Sequence, residues 1–444
     1  MKKYFSLFLF CICFSLLNAS GQNNTVKKQH PKPEPTDWYA GDIHVHLNCG
    51  SKTVLPEDSL IPMMKINDLA VISLLADMGN GEVLYNDRDL PKVNGLDAPQ
   101  AKPDRIIHWD AEWHWDATYS NFSKQALGGH LVLLGLKNAH QIWEESPYKI
   151  LEWGKKQNVI GGFAHMEYLN SNIETNLNCC IPIDYPVEAA LGTIDFVSED
   201  VYGSRSLNNG NYFNEGVVNA YYKLLNCGFR LGLASGTDYP CNENEPLGTL
   251  LTYVKVKRPL TYQKWIEGIK LGRTVISRNA HNEFLDLKVN GQYIPGDDIQ
   301  LKNKGKLSIQ VSWTANQPLT GSIELVSNGN VIATINGSAK PDEPLVLNTT
   351  AVFTKSSWLC ARRMDKQGHE THTAPVYITV NKKPVRASAQ DAAFFIAWID
   401  NILENIKPDG KWNKYFPNDM ETVQARYLKA KAVYAQILKE CNEQ

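Results

Sequence analysis

The sequence predicts an α/β protein: a distorted (β/α) barrel, then a small β-sandwich, then a C-terminal helical segment. Three observations predict it. Short apolar runs alternate with helix-length amphipathic segments from Trp38 to about Arg278. After Asn279 the pattern changes to closely spaced alternating segments parted by turn residues such as Ser327-Asn328-Gly329-Asn330. From residue 385 onward apolar side chains recur at helical spacing, as at Ala393, Ile396, Ala397 and Leu403.

Lys2 and Lys3 precede an apolar run from Tyr4 to Leu17, and small residues follow at Ala19 and Gly21. That order predicts an export signal over 1–21, cleaved near Gly21, and a periplasmic or extracellular protein. The run falls short of the roughly 20 residues of a membrane span, so no integral span is expected. Residues 22–36 are polar and proline-rich and predict a disordered leader. The barrel is expected over 37–280, with strands at Gly41–His46, Leu69–Ala76, Arg105–Glu112, His130–Leu136, Val159–His165, Ile194–Ser198, Arg230–Ser235 and Thr274–Ser277. Helices are expected at Pro147–Gln157, Glu215–Asn226 and Thr261–Leu271. The sandwich is expected over 281–384 and the terminal helices over 385–444, at Gln390–Ile406 and Met420–Cys441.

With 45 Lys+Arg against 47 Asp+Glu the formal charge is −2. No global field exists to hold nucleic acid, so the expected partner is a small-molecule substrate at a local site, with the oligomeric state left open. The nine cysteines include Cys11 and Cys13 in the export signal. The others are an odd, scattered set without a C-x-x-C pair, neither a disulfide framework nor a thiolate zinc site, and one or two disulfides stay open. No Gly-rich phosphate loop and no Gly-x-Ser-x-Gly elbow occurs.

The chemistry is carried by histidines and acids at predicted strand ends. In Asp42-Ile43-His44-Val45-His46 the strand period of two puts Asp42, His44 and His46 on one face. Two imidazoles so spaced can converge on one metal ion, and hydrogen bonding at a polar strand end is the plainer alternative. In the run from His108 to Asp116, alternation places His108, Asp110, Glu112, His114 and Asp116 opposite Trp109, Trp113 and Trp115. Such a face is costly to bury without cations or complete hydrogen bonding. His130 opens one apolar run, His165 closes another, and Asp238 closes a third. Polar residues at strand exits are where β/α barrels place their sites.

Taken in order, His44-Val45-His46, Glu112, Gly129-His130-Leu131, Gly161-Gly162-Phe163-Ala164-His165 and Ser235-Gly236-Thr237-Asp238 resemble the PHP superfamily of metallohydrolases, named for its polymerase and histidinol phosphatase members. The segments Trp38–His46 and Thr373–Tyr377 are most similar to its CehA/McbA branch, which includes carbaryl hydrolase. The resemblance implies a PHP-type distorted barrel with one metal on His44, His46 and Asp238, a second on His130 and His165, and Glu112 bridging. It implies two divalent ions, Zn, Mn or Fe, since the histidines that hold a third metal in many members have no counterpart here. The implied activity is hydrolysis of an ester-like bond, a carboxylic or carbamic ester or an amide, by metal-activated hydroxide. A PHP-type phosphoesterase, or a non-catalytic glycan- or surface-binding protein on a retired barrel, is the alternative.

The catalytic set is then Glu112, Asp238 and His114, with His114 a proton donor to the leaving group or a structural hydrogen-bonding residue. Asp42, Glu199 and Tyr239 are weaker candidates to support the ligands. His108, His140, His281 and His369 read as surface residues, His372 could approach from the sandwich, and the three tryptophans are core or the wall of a substrate pocket.

Overall fold

Strand-forming runs appear where the apolar pattern places them, but they join into one sheet and not into a ring. The computed structural model describes residues 32–47, 55–79, 86–116, 126–140, 146–166, 182–200, 217–241, 246–365, 368–413 and 419–443. The expected export signal and most of the expected leader lie outside these residues. Residues 32–444 form one compact unit.

The first strands are β1 (Trp38–Val45), β2 (Val71–Gly79), β3 (Ile106–Asp116), β4 (Ala126–Leu134), β5 (Ile160–Phe163), β6 (Phe196–Asp200), β7 (Gly232–Gly236), β8 (Leu251–Lys255) and β9 (Thr274–Ser277). Then come β10 (Glu283–Val289), β11 (Asp298–Leu301), β12 (Gly305–Ala315), β13 (Leu319–Ser327), β14 (Asn330–Ala339), β15 (Leu345–Phe353), β16 (Ser357–Met364), β17 (His369–Thr373) and β18 (Val376–Val380). The helices used below are α1 (Leu60–Ile66), α2 (Pro147–Lys155), α3 (Tyr185–Ala190), α4 (Val217–Asn226), α5 (Tyr262–Lys270), α6 (Ala389–Asn405) and α7 (Met420–Asn442).

The expected parallel barrel is corrected by this topology. Among the described residues a 15-stranded mixed sheet runs β11-β18-β16-β17-β9-β8-β1-β2-β3-β4-β5-β6-β7, with β13 and β14 joined through β16. Only β1–β2, β2–β3, β5–β6, β6–β7 and β11–β18 are parallel pairs. The β3–β4, β4–β5, β1–β8, β8–β9 and β9–β17 ladders are antiparallel. Between β3 and β4 only residues 117–125 intervene, too few for the helical crossover that a parallel pair needs. The sheet curls until β7 touches β1 through the single bridge Val45–Tyr239 and the His46 N–H to Tyr239 carbonyl bond of 2.6 Å, without a ladder.

The same sheet continues through β17 into the second half, so the expected sandwich does not stand apart from the first part. A three-stranded sheet, β10-β12-β15, supplies the facing layer. Trp313, Val311, Leu325, Leu359 and Ile378 fill the core between the layers. The strands expected over 37–280 do not include β8, which has five residues.

The terminal helices begin within two residues of expectation, α6 behind Ser388, whose hydroxyl accepts the Asp391 N–H at 3.1 Å. They bury Phe395, Trp398, Tyr427 and Tyr434 against the first half. Tyr434 donates to the Pro186 carbonyl in α3, and Trp398 to that of Ile183 just before it, so α7 and α6 both hold this segment. None of the described helices is long and apolar enough to cross a membrane.

One group at this seat is set against its own charge. Asp184 is buried, accepts the Tyr427 hydroxyl, and lies near Glu188 and Arg426. Burial pushes its carboxyl up to about 7, with the Tyr427 hydrogen bond opposing. A raised acid binds its proton more tightly in the folded chain, so stability falls as pH rises from near 4 through 7 and then levels. Asp184→Asn is therefore expected to melt higher than the parent at pH 8, by up to about 4 kcal/mol of stability, and to match it near pH 4. Parallel melting curves for the two proteins across that range would show that Asp184 is not the responsible group.

Candidate metal centre

Six side chains from five strands and the turns that follow them meet near the C-terminal end of β1. His44 leaves β1 inward, and His46 follows just past its end. Glu112 comes from β3, His130 from β4, His165 from just beyond β5, and Asp238 from just beyond β7. Parity puts His44, His46 and Glu112 on the inner faces, and Val45, Ala111 and Trp113 between them enter the apolar core.

Glu112 is the centre of the arrangement. Its Oε2 lies 3.1 Å from Nε2 of His44 and 3.1 Å from Nε2 of His46. Those two nitrogens are 3.2 Å apart. Asp238 Oδ1 closes this group at 3.4 and 3.5 Å from the same nitrogens. On the other side, Glu112 Oε1 lies 3.1 Å from His130 Nδ1 and 3.6 Å from His165 Nε2. His44, His165 and Asp238 also have ligating atoms within 4.8 Å of one another, which links the two groups. Two nitrogens bound at 2.0–2.1 Å to one tetrahedral ion stand about 3.3 Å apart, close to the spacing found. The donor set, imidazoles and carboxylates, therefore fits divalent cations.

Two of the six sit on strained backbone. His165 has φ 54° and Asp238 φ 52°, the left-handed region that side chains other than glycine seldom occupy. Both follow a buried strand by two residues. Gly236 permits the close approach of β7 to β1, since a Cβ there would lie 2.5 Å from His44 Cβ and 2.8 Å from its backbone nitrogen. Asp42 locks that approach: its carboxylate accepts the His44 N–H at 3.0 Å, the Thr237 N–H at 3.0 Å and the Thr237 hydroxyl at 2.5 Å.

The electrostatics of the cluster follow from its burial. Burial raises the Asp42 carboxyl to about 7, against the three Thr237 and His44 hydrogen bonds. Burial also raises Asp238, with the His44, His165 and His46 rings opposing. For His46, burial disfavours the charged ring, yet Asp77 and Glu112 together hold its pKa above the usual imidazole value. Cations favour the deprotonated forms of all these ligands.

The structure brings together His44, His46, Glu112, His130, His165 and Asp238, with Asp42 directly behind. Tyr239 contributes its backbone carbonyl to His46. His114 lies opposite His130 in the β3–β4 ladder, and Glu199 opposite Ser235 in β6–β7. The side chains of His114, Glu199 and Trp115 lie outside the described residues. His372 does not reach the centre; it is fully buried between the Tyr222 hydroxyl, 2.7 Å from Nε2, and the Thr373 carbonyl. Trp109 and Trp113 are buried in the apolar core. His108, read as a surface residue, is buried, stacked on Tyr262 and bonded to Asp97 at 2.9 Å. The costly polar face of β3 is thus resolved twice, by hydrogen bonds at Asp110 from Gly135, Leu136 and Tyr262, and by the convergent set at Glu112.

Sequence reasoning missed Asp77, whose Oδ1 is 3.6 Å from His46 Nδ1. It is the register partner of Glu112 in the β2–β3 ladder, a relation visible only once the strands are paired. Cys241 also lies near His46 and Asp238, but it is disulfide-bonded and offers no thiolate.

No family model matches the chain, and no curated protein matches it. Among solved structures, the CARDB domain of PF1109 from Pyrococcus furiosus is 13% identical, covers 23% of this chain and 98% of its own, and has a TM-score of 0.17. The sulfur carrier protein SoxY from Chlorobium limicola f thiosulfatophilum is 12% identical, covers 21% of this chain and 78% of its own, and also has a TM-score of 0.17. Likenesses of this size carry no argument about fold or function, so the case for this chain rests on the six converging side chains.

Proposed function

We propose that the protein is an exported, metal-dependent hydrolase of an ester-like bond, a carboxylic or carbamic ester or an amide. The observation that carries this reading is Glu112, which offers one oxygen to His44 and His46 and the other to His130 and His165. A carboxylate so divided suits two divalent ions, Zn, Mn or Fe. The order of the motifs supports kinship with PHP metallohydrolases at the level of the site.

A pair of divalent ions would supply a water that ionises near neutral pH and a Lewis acid for the scissile oxygen. The chain's own residues do the rest. Glu112 holds the two groups of ligands together, and its burial keeps bulk water from screening them. Asp77 orients His46 from behind, as carboxylates beside metal-binding imidazoles do. Asp42 and Thr237 fix the β1–β7 approach on which the position of Asp238 depends. His114 is assigned the proton for the leaving group.

The test is a screen of metal-loaded protein on aryl carboxylic esters, aryl carbamates, anilides and phosphoesters. Turnover of one of the first three is expected, lost on chelation and restored by Zn or Mn. Turnover of phosphoesters alone would transfer the assignment to phosphoester chemistry. Failure to bind any metal at these residues would end the reading altogether.

A further inference from the structure

At the other end of β1 lies a second cluster of ligating groups, independent of the centre above. Glu34 precedes β1, Asp68 sits in the turn between α1 and β2, and His281 lies in the turn between β9 and β10. The leader was expected to be solvated to residue 36, yet Glu34 is buried, with its side chain only 3% exposed. Its segment is pinned by the Thr314 hydroxyl, which donates to the Pro33 carbonyl at 2.7 Å. Among the described residues Glu34 Oε2 has no hydrogen-bond partner.

The tautomer of His281 sharpens the problem. Its Nε2 is 3.0 Å from the Asp68 carbonyl, which can only accept, so Nε2 carries the hydrogen. In the neutral ring Nδ1 then accepts the Tyr253 hydroxyl hydrogen at 3.2 Å and lies 3.5 Å from Glu34 Oε2. Glu34 Oε2 is left buried and facing an acceptor nitrogen, an arrangement that a positive centre between them relieves. Ligating atoms of Glu34, Asp68 and His281 all lie within 4.8 Å of one another.

We infer that Glu34, Asp68 and His281 form a structural divalent-cation site, of the Zn or Mn class, that ties the segment before β1 to both halves of the fold. One imidazole nitrogen and two carboxylate oxygens suit such ions. Asp68 already attracts cations: Lys32 Nζ lies 2.6 Å from Oδ2 and Arg105 3.1 Å from Oδ1. The Lys32 side chain is 61% exposed and free to swing into solvent, while Arg105 keeps its oxygen. Tyr253 completes the polar surroundings of the imidazole.

The experiment measures metal content by elemental analysis, and melting temperature with and without added Zn or Mn, on the full chain. Glu34→Gln and His281→Gln are compared with the parent and with Asp238→Asn. Each of the first two is expected to lose about one equivalent, to lose the part of the metal-induced rise in melting temperature that the Asp238→Asn protein still shows, and to keep any hydrolysis. Asp238→Asn combined with Glu34→Gln is expected to lose metal beyond Asp238→Asn alone, which separates this site from the centre at Glu112. Unchanged metal content and unchanged metal-induced stabilisation in both Glu34→Gln and His281→Gln would overturn the inference, whatever becomes of the proposed hydrolase.

Discussion

Glu112→Gln is expected to empty the centre of one ion before the other and to lower hydrolysis by more than roughly 100-fold, the upper end of what changes behind the ligands already produce. Glutamine keeps the shape of the side chain and one carbonyl oxygen, but it removes the charge that both groups of ligands share. Glu112 Oε2 sits 3.1 Å from each of His44 and His46, and Oε1 3.1 Å from His130. With no carboxylate to divide, two cations held near one another repel without compensation. Metal titration followed by elemental analysis reads the loss. His114→Asn is the control on the same strand: it is expected to keep both ions and to slow turnover, in keeping with proton donation. Full metal and activity in Glu112→Gln, with metal lost in His114→Asn, would invert the two roles.

The second large effect belongs to the strained strand exits. Asp238→Asn keeps a residue that tolerates φ 52°, so its melting temperature without metal is expected to stay near that of the parent, while metal binding at the centre and hydrolysis collapse. Asp238→Ala loses the same activity and in addition about 1 kcal/mol of stability, because alanine resists the left-handed region. His165→Ala is expected to behave like Asp238→Ala, and neither should disturb the core around Trp313. Activity surviving in Asp238→Asn on any substrate the parent turns over would remove Asp238 from the site. Equal melting temperatures for the Asn and Ala variants would instead show that the backbone at 238 carries no strain.

Much of this protein is written locally. Strand periodicity placed His44 and His46 on one face and Glu112 among the polar residues of β3, because the two-residue repeat needs no knowledge of neighbours. Apolar runs ending in His165 and Asp238 marked strand exits, and the helical spacing of apolar residues marked the terminal helices. Pairing was not local. Which strand lies beside which, and in which direction, depends on connections and on packing across the whole sheet, so alternating strands and helices suggested a closed parallel barrel where the chain builds an open mixed sheet.

The sequence by itself determined the ligand types, their order and their parity. Only the tertiary structure decided their company: that Asp77 stands beside Glu112 in register, that Gly236 lets β7 approach His44, that His372 turns away into the interface with α4, and that Glu34 is buried beside His281. Residue type and strand parity are properties of a few neighbours along the chain. Register, close approach and burial are set by contacts between residues far apart in sequence, and these form only when the sheet curls on itself.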